Sequence, residues 1–364
     1  MIYVGYLLFG MLALRFLVVL VNFLSRPFLP KATLEGEPKV SILIPARNEE
    51  RALPQLLSDL RKLEYSNVEV WVCDDYSTDS TPQILEQAVQ NDARVHFFTK
   101  NELPKGWKGK NHACHALAQR ASGHYFLFVD ADVRLEPQAV SRAVAFAQTR
   151  RLGLLSIFPK QRIQSEGEWK TVPLMNWILL SFLPLALVRM KWFPSLSAAN
   201  GQFMLFDAQI YRTYDWHKQV RNNTVEDIAI ARLMKKKRTS IAVLLGQNDV
   251  ACRMYSGSDE AVHGFSRNVH QYFGGSRLWL VAFWLLVWAR WPFFALSGQW
   301  ILLAIAIVFS FTMKVLISSL SQQAQHFNLK FHFSQLGAFT QIVLKNLQAA
   351  RRGRVDWKGR IYSE

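Results

Sequence analysis

FLFVDADVRL, Phe126 to Leu135, runs four apolar residues straight into two carboxylates separated by one alanine. A short apolar run closed by polar residues reads as a buried strand. Asp130 and Asp132 at its end repel one another unless positive charge sits between them. The chain upstream alternates in the same style. KVSILIPA, NVEVWVCDD and RVHFFTK are short strands. EERALPQLLSDLRKL, TPQILEQAVQN and GKNHACHALAQRA carry helical spacing, and the second opens with Thr81 as N-cap and Pro82 at the first helical position. Strands separated by helices of about 10 to 15 residues predict an α/β fold, a mostly parallel sheet with helices on both faces.

In such a sheet ligands sit beyond the carboxyl ends of the strands. Asn48 and Glu49 follow the first strand, Asp74 and Asp75 end the second, and Asp130 and Asp132 end the fourth. Each alone is an ordinary loop carboxylate or helix cap; together on one rim they mark a site. Acidic groups there predict Mg²⁺ or Mn²⁺ held by Asp130 and Asp132, with the ion in turn holding a diphosphate. No GxxxxGK[ST] loop occurs and no GxGxxG follows the first strand, which excludes a P-loop and disfavours a dinucleotide site.

Half of the 364 residues are hydrophobic, mean hydropathy is slightly positive and the formal net charge is +16. That combination disfavours a purely soluble protein and predicts a negative partner surface. Cys73, Cys114 and Cys252 lie far apart with no metal or disulfide spacing. Residues 1–25 are apolar enough for a retained anchor, with Arg15 facing another helix or snorkelling. Arg26 and Lys31 after it place that side in the cytoplasm. Leu278–Leu296 and Trp300–Leu320, separated by SGQ, predict a transmembrane hairpin over 278–320, despite Arg290 and Lys314 within it. The proline-broken segment near 172–190 predicts an interfacial helix. Phe331–Leu347 either lies on the membrane or crosses it. Residues 38–272 are then a catalytic domain, and 321–364 a basic amphipathic tail with Trp357 and Tyr362 at interface depth. The run Lys235–Arg238 reads as a solvated helix end or a lipid-headgroup contact. His112 and His115, three apart on a helix, read as structural.

SILIPARNEE, VCDDYSTDSTPQIL, GKNHACHALAQRASGHYFLFVDADV and NTVEDIAIARLMKK, in that order, resemble the family 2 glycosyltransferases of GT-A fold, over roughly Val40 to Tyr272. LPKGWKGKNHA, AANGQFMLF, RMYSGSDEAVHGFSRNV and WKGRIY resemble the membrane-anchored branch with hopanoid-associated and carotenoid glycosyltransferases. The resemblance implies a nucleoside diphosphate sugar donor, UDP-sugar foremost, a lipid-soluble acceptor, and inversion. By the same resemblance Pro45, Arg47, Asn48 and Glu49 border the nucleoside. Asp74 and Asp75 contact base and ribose, Lys110 lies near the donor, and Asp130 and Asp132 form the metal-binding DxD. Asp227 is the general base, Gly201 and Gln202 form the acceptor-side loop, and Arg267 stands where related synthases carry the arginine of QxxRW. Here that stretch reads His263 to Asn268 without the motif, which disfavours a processive polysaccharide synthase.

The expectation is a multi-pass protein of the inner, cytoplasmic membrane, its catalytic domain in the cytoplasm, facing an anionic membrane surface and not nucleic acid. A basic nucleic-acid-binding membrane protein lacks support, because basic stretches with interleaved aromatics are missing. A catalytically dead scaffold is disfavoured by the intact acids.

Overall fold

A computed structural model describes residues 1–31, 34–100, 102–352, 354–357 and 360–363, with side chains described through Arg351. The strands are β1 (Val40–Ala46), β2 (Val68–Asp74), β3 (Val95–Thr99), β4 (Tyr125–Val129), β5 (Val133–Leu135), β6 (Leu154–Phe158), β7 (Lys160–Gln161), β8 (Phe203–Asp207), β9 (Ile241–Leu245), β10 (Val250–Cys252), β11 (Arg354–Trp357) and β12 (Arg360–Ser363). The first ten helices are α1 (Ile2–Ser25), α2 (Leu53–Arg61), α3 (Thr81–Asn91), α4 (Gly109–Arg120), α5 (Ala139–Arg150), α6 (Glu166–Trp169), α7 (Pro173–Phe182), α8 (Ala208–Tyr214), α9 (Trp216–Gln219) and α10 (Glu226–Lys236). The last five are α11 (Ser258–Asn268), α12 (Arg277–Leu296), α13 (Trp300–Leu320), α14 (Gln325–Lys330) and α15 (His332–Arg352). The chain forms two compact units. A sheet unit comprises Pro27–Lys160 and Leu185–Arg253; a helical unit comprises Met1–Arg26, Gln161–Pro184 and Met254–Glu364. Residues 161–184 and 254–272, expected within a continuous catalytic domain over 38–272, thus pack with the apolar helices.

The sheet unit is built on seven strands in the order β3-β2-β1-β4-β8-β6-β9. β1 pairs in parallel with β2 and with β4, and β2 with β3. Val40, Ile42, Leu43 and Ile44 of β1 are fully buried, as a parallel strand covered on both faces requires. One strand departs from the parallel pattern. β8 runs antiparallel to both β4 and β6. Because of that reversal its N-terminal end lies at the rim where β4 ends.

Two loops at this rim are tied together. Asn48 and Tyr76 both take left-handed backbone conformations, which Asn tolerates better than most residues. Asn48 Oδ1 accepts the Thr78 N–H at 2.8 Å, and the Asn48 N–H donates to Ser77 Oγ at 2.9 Å. Thr81 is the first helical residue of α3, and Ser80 holds the N-cap position expected for Thr81. The Thr81 hydroxyl instead accepts the Glu49 N–H at 2.9 Å, so its polar group serves the neighbouring loop.

In the helical unit, α1, α12 and α13 are long and apolar enough to cross a membrane. Arg15 faces another helix. Its Nε and Nη2 donate to Ser181 Oγ at 3.3 and 2.7 Å, and its guanidinium lies over the rings of Trp177 and Phe283. Asn22 donates to the carbonyls of Leu180 and Leu183, both at 2.9 Å. These bonds hold α7 against α1; in hydrocarbon such polar groups would find no alternative partner. Arg290 donates to Ser310 Oγ, and Lys314 to Gln335 Oε1.

In the segment near 172–190 the ten-residue α7 ends at Phe182, two residues before Pro184, and a 3-10 turn follows over Leu185–Arg189. At about 15 Å, α7 is half the length a span needs. Most of its side chains are buried inside the unit. Their apolar character answers to helix packing. Residues 331–347 fall mainly in α15, which buries Leu336, Phe339, Ile342 and Val343 on one side. The chain beyond it pairs as the antiparallel hairpin β11–β12. The side chains of Trp357 and Tyr362 lie outside the described residues.

Candidate active site

The reversed strand β8 assembles the site. Phe203 stands opposite Val129 in the β4–β8 register, so Gly201 and Gln202 meet the end of β4. The Asp130 N–H donates to the Gln202 carbonyl at 3.2 Å. The Gln202 amide donates to Asp132 Oδ1 and Oδ2 at 3.3 and 3.2 Å, while the buried Cys252 Sγ meets its Oε1 at 3.5 Å and fixes its orientation.

Lys110, in the first turn of α4, reaches into this group. Its Nζ lies 2.8 Å from Asp130 Oδ1 and 3.1 Å from Glu226 Oε1. Burial opposes the charge, yet Asp130 and Glu226 outweigh it and hold the ammonium well above the usual lysine range. Glu226 and Asp227 open α10. Asp227 Oδ2 accepts the Gly201 N–H at 2.9 Å. A Cβ built at Gly201 would lie 3.1 Å from Lys110 Nζ, 3.2 Å from Glu226 Oε1 and 3.7 Å from Asp227 Oδ2. Glycine therefore lets the loop run between the lysine and the acids.

Two carboxyls in this group are short of compensation. Burial, then Asp130 and Glu49, push the Asp132 carboxyl up to about 7. Burial, then Glu226, push Asp227 up to about 7, against the pull of the N–H groups of Ile228 and Gly201. A carboxylate poised near neutral pH suits proton abstraction.

The other half of the rim is quieter. Asp75 pairs with the buried Lys100 at 2.8 Å. Asp74 Oδ1 accepts the Ser77 N–H at 3.2 Å. Arg47 Nη1 donates to the Asp75 carbonyl at 2.6 Å, and Pro45 sits on β1 opposite Cys73 of β2. His115 Nδ1 lies 2.9 Å from Asp215 Oδ1, a structural contact. Among the described residues no group of three His, Cys, Asp or Glu side chains is placed to hold a metal by itself.

Residues 41–215 match the model of glycosyl transferase family 2. The chain carries a family 2 glycosyltransferase domain. Curated relatives point the same way. A protein of Staphylococcus haemolyticus named 4,4'-diaponeurosporenoate glycosyltransferase is 27% identical over 246 residues, 65% of this chain and 62% of that protein. That match spans less than two thirds of the relative's length. Its namesake in Staphylococcus aureus is 26% identical over 346 residues, 89% of this chain and 88% of the relative. Among solved structures, a mannosyltransferase from Pyrobaculum calidifontis, in complex with GDP-Man and Mn2+, superposes with a TM-score of 0.55 at 15% identity. It covers 94% of this chain and 98% of its own. At that identity the likeness concerns the fold, which is GT-A-like.

Of the residues expected to carry the glycosyltransferase's chemistry, Lys110, Asp130, Asp132, Gly201, Gln202 and Asp227 form one cluster. Pro45, Arg47, Asn48, Glu49, Asp74 and Asp75 lie on the neighbouring strand ends of the same sheet. Arg267 belongs to α11 of the helical unit. Glu226, Lys100 and Cys252 were missed. Glu226 is the middle letter of VED, beside the expected base. Lys100 stands just past the end of β3, where the strand-end rule points. Nothing in the sequence marks Cys252.

Proposed function

We propose that this glycosyltransferase moves a sugar from a nucleoside diphosphate sugar, UDP-sugar foremost, to a hydroxyl or carboxyl of a lipid-soluble acceptor, with inversion. The reaction takes place at the cytoplasmic face of the inner membrane, which the chain crosses more than once. The observation that carries this reading is Asp227 placed beside the Lys110–Asp130–Glu226 group, separated from it by Gly201. In that arrangement the base and an acid-bound ammonium face the same loop. The relatives named for 4,4'-diaponeurosporenoate favour a carotenoid-type acceptor over a hopanoid-like one.

Where the acceptor is a hydroxyl, Asp227 takes its proton as that oxygen bonds to the anomeric carbon; a carboxylate acceptor arrives already ionised. The bond from that carbon to the diphosphate breaks, and the electron pair leaves with the diphosphate. Lys110 stands ready to stabilise the charge that builds there. Asp130 and Asp132 fit a divalent cation. They offer hard oxygen donors that repel one another, and a two-carboxylate set is sufficient where substrate phosphates complete the shell. Mg²⁺ or Mn²⁺ held there would neutralise the leaving diphosphate. Gln202 holds the Asp132 carboxyl through its amide, and the β2–α3 loop, fixed by Asn48, frames the nucleoside.

Asp227→Asn tests the reading. Membranes carrying the variant, given labelled sugar nucleotides and then extracted with organic solvent, are expected to transfer roughly 10²- to 10⁴-fold less label to a lipid alcohol. Donor binding should be retained. Near-normal transfer would remove Asp227 from the role, and label found in a polymer would favour a polysaccharide synthase.

A further inference from the structure

The sheet unit exposes an apolar and basic surface far along α10 from the catalytic end of that helix. Residues 189–195 are all exposed. Among them Met190, Trp192 and Phe193 are 42%, 69% and 48% exposed, and Leu187 just before them is 39% exposed. Arg189 and Lys191 are interleaved with these side chains. The last residue of α10, Lys236, its cap Lys237 and the following Arg238 are likewise exposed. The two surfaces are one patch, because the Arg238 guanidinium lies 4.6 Å from the centre of the Trp192 ring. Neither residues 185–197 nor residues 228–248 contain an Asp or Glu. Among the described residues, none of the five cations is paired with a carboxylate.

The loop is fastened to the helix. Lys235, 1% exposed, donates from Nζ to the carbonyls of Leu196 and Phe193 at 2.6 and 3.2 Å. A buried ammonium spent on two loop carbonyls makes the exposed aromatics a rigid feature. Large exposed aromatics set among unpaired cations are unfavourable in water alone. They match the boundary of an anionic bilayer, where rings settle at headgroup depth and Lys and Arg meet phosphates.

We propose that Leu187–Phe193 and Lys236–Arg238 form a docking surface through which the sheet unit rests on an anionic lipid surface. α10 then acts as a rigid spacer between that surface and the catalytic residues. Eleven helical residues span about 16 Å, with Glu226 and Asp227 at one end and the basic patch at the other. Docking thereby sets the height of Asp227 above the lipid. The inference rests on the membrane-bound reading above but not on the identity of the acceptor.

The experiment uses the full chain in nanodiscs. Trp192→Cys is labelled with an environment-sensitive fluorophore; the three native cysteines are buried and spared. Glu86→Cys, exposed on α3, serves as the water-facing reference. In discs of phosphatidylglycerol the label at 192 is expected to shift to the blue and to be quenched by lipid-borne quenchers. In discs of phosphatidylcholine, or with Lys236→Ser, Lys237→Ser and Arg238→Ser combined, the docked-to-undocked ratio should fall by tenfold or more. The KM for the lipid acceptor should rise while that for the donor stays unchanged. A label at 192 as open to aqueous quencher as the one at 86, in both lipids, overturns the proposal. So does lipid contact that the triple substitution leaves intact. Incorporation of the chain into discs and release of nucleoside diphosphate are scored separately, so a chain that fails to insert, or has no transferase activity, is recognised as failure of the underlying reading instead.

Discussion

Two acid pairs close two parallel strands of the same sheet, and they are treated in opposite ways. At the end of β2, Asp75 is matched by the buried Lys100, and Asp74 accepts a loop N–H. The charges there are settled within the protein and stiffen the loops that frame the rim. At the end of β4, Asp130 shares Lys110 with Glu226, while Asp132 accepts from the neutral Gln202 amide and, among the described residues, forms no ion pair. Burial and neighbouring acids raise its carboxyl to about 7. The first pair has partners inside the protein. The second keeps an electrostatic deficit that a cation and a diphosphate donor can fill. Identical letters at equivalent strand ends therefore perform different work, and the difference lies in which cation the fold delivers to each.

This contrast can be broken most directly at Asp132. Asp132→Asn is expected to lower cation-dependent transfer on the order of 10³-fold, the scale of losing a metal-held charge stabiliser. Its melting temperature should hold or rise, because a like charge beside Asp130 and Glu49 has been removed. Parallel assays of nucleoside diphosphate release and thermal melting read both quantities. Asp75→Asn should behave in the reverse manner. It leaves the Lys100 ammonium buried without its carboxylate, a loss of roughly 3–5 kcal/mol of stability. Adding Lys100→Met should restore much of it. If Asp132→Asn melted as early as Asp75→Asn, the two pairs would be alike and the contrast would be lost.

A smaller effect sharpens the picture with a third acid. Asp227 resembles Asp132 in being pushed up to about 7, by burial and by Glu226. As a base it must be ionised, so transfer should persist above about pH 7 and fall roughly tenfold per pH unit below it. The sign for stability is opposite. A carboxyl raised in the folded state holds its proton more tightly there, so its contribution to stability falls as pH rises from the ordinary carboxylate range to about 7 and levels off above it. A pH series of initial rates at saturating donor, run beside melts at the same pH values, separates the two. A flat rate profile between pH 5 and 8 would show that Asp227 does not titrate in the working site.

Much of this arrangement is written in local sequence. Apolar runs ending in acids located β1, β2 and β4 and the rim they share, because a parallel strand buried on both faces needs continuous apolar residues and delivers its polar groups at its end. Long apolar runs located α1, α12 and α13 for the same kind of reason, the cost of exposing backbone and polar groups to hydrocarbon. Tertiary structure alone decided which acids are compensated. The pairing of Lys110 with Glu226, of Lys100 with Asp75 and of Cys252 with Gln202 joins residues from 25 to 116 positions apart. The antiparallel entry of β8, which brings Gly201 to Asp227, follows from strand order, and an alternation of apolar residues carries no direction. The apolar stretch of α7 likewise has one meaning in sequence and another in space, since hydrophobicity records the need for cover while packing determines whether lipid or protein supplies it.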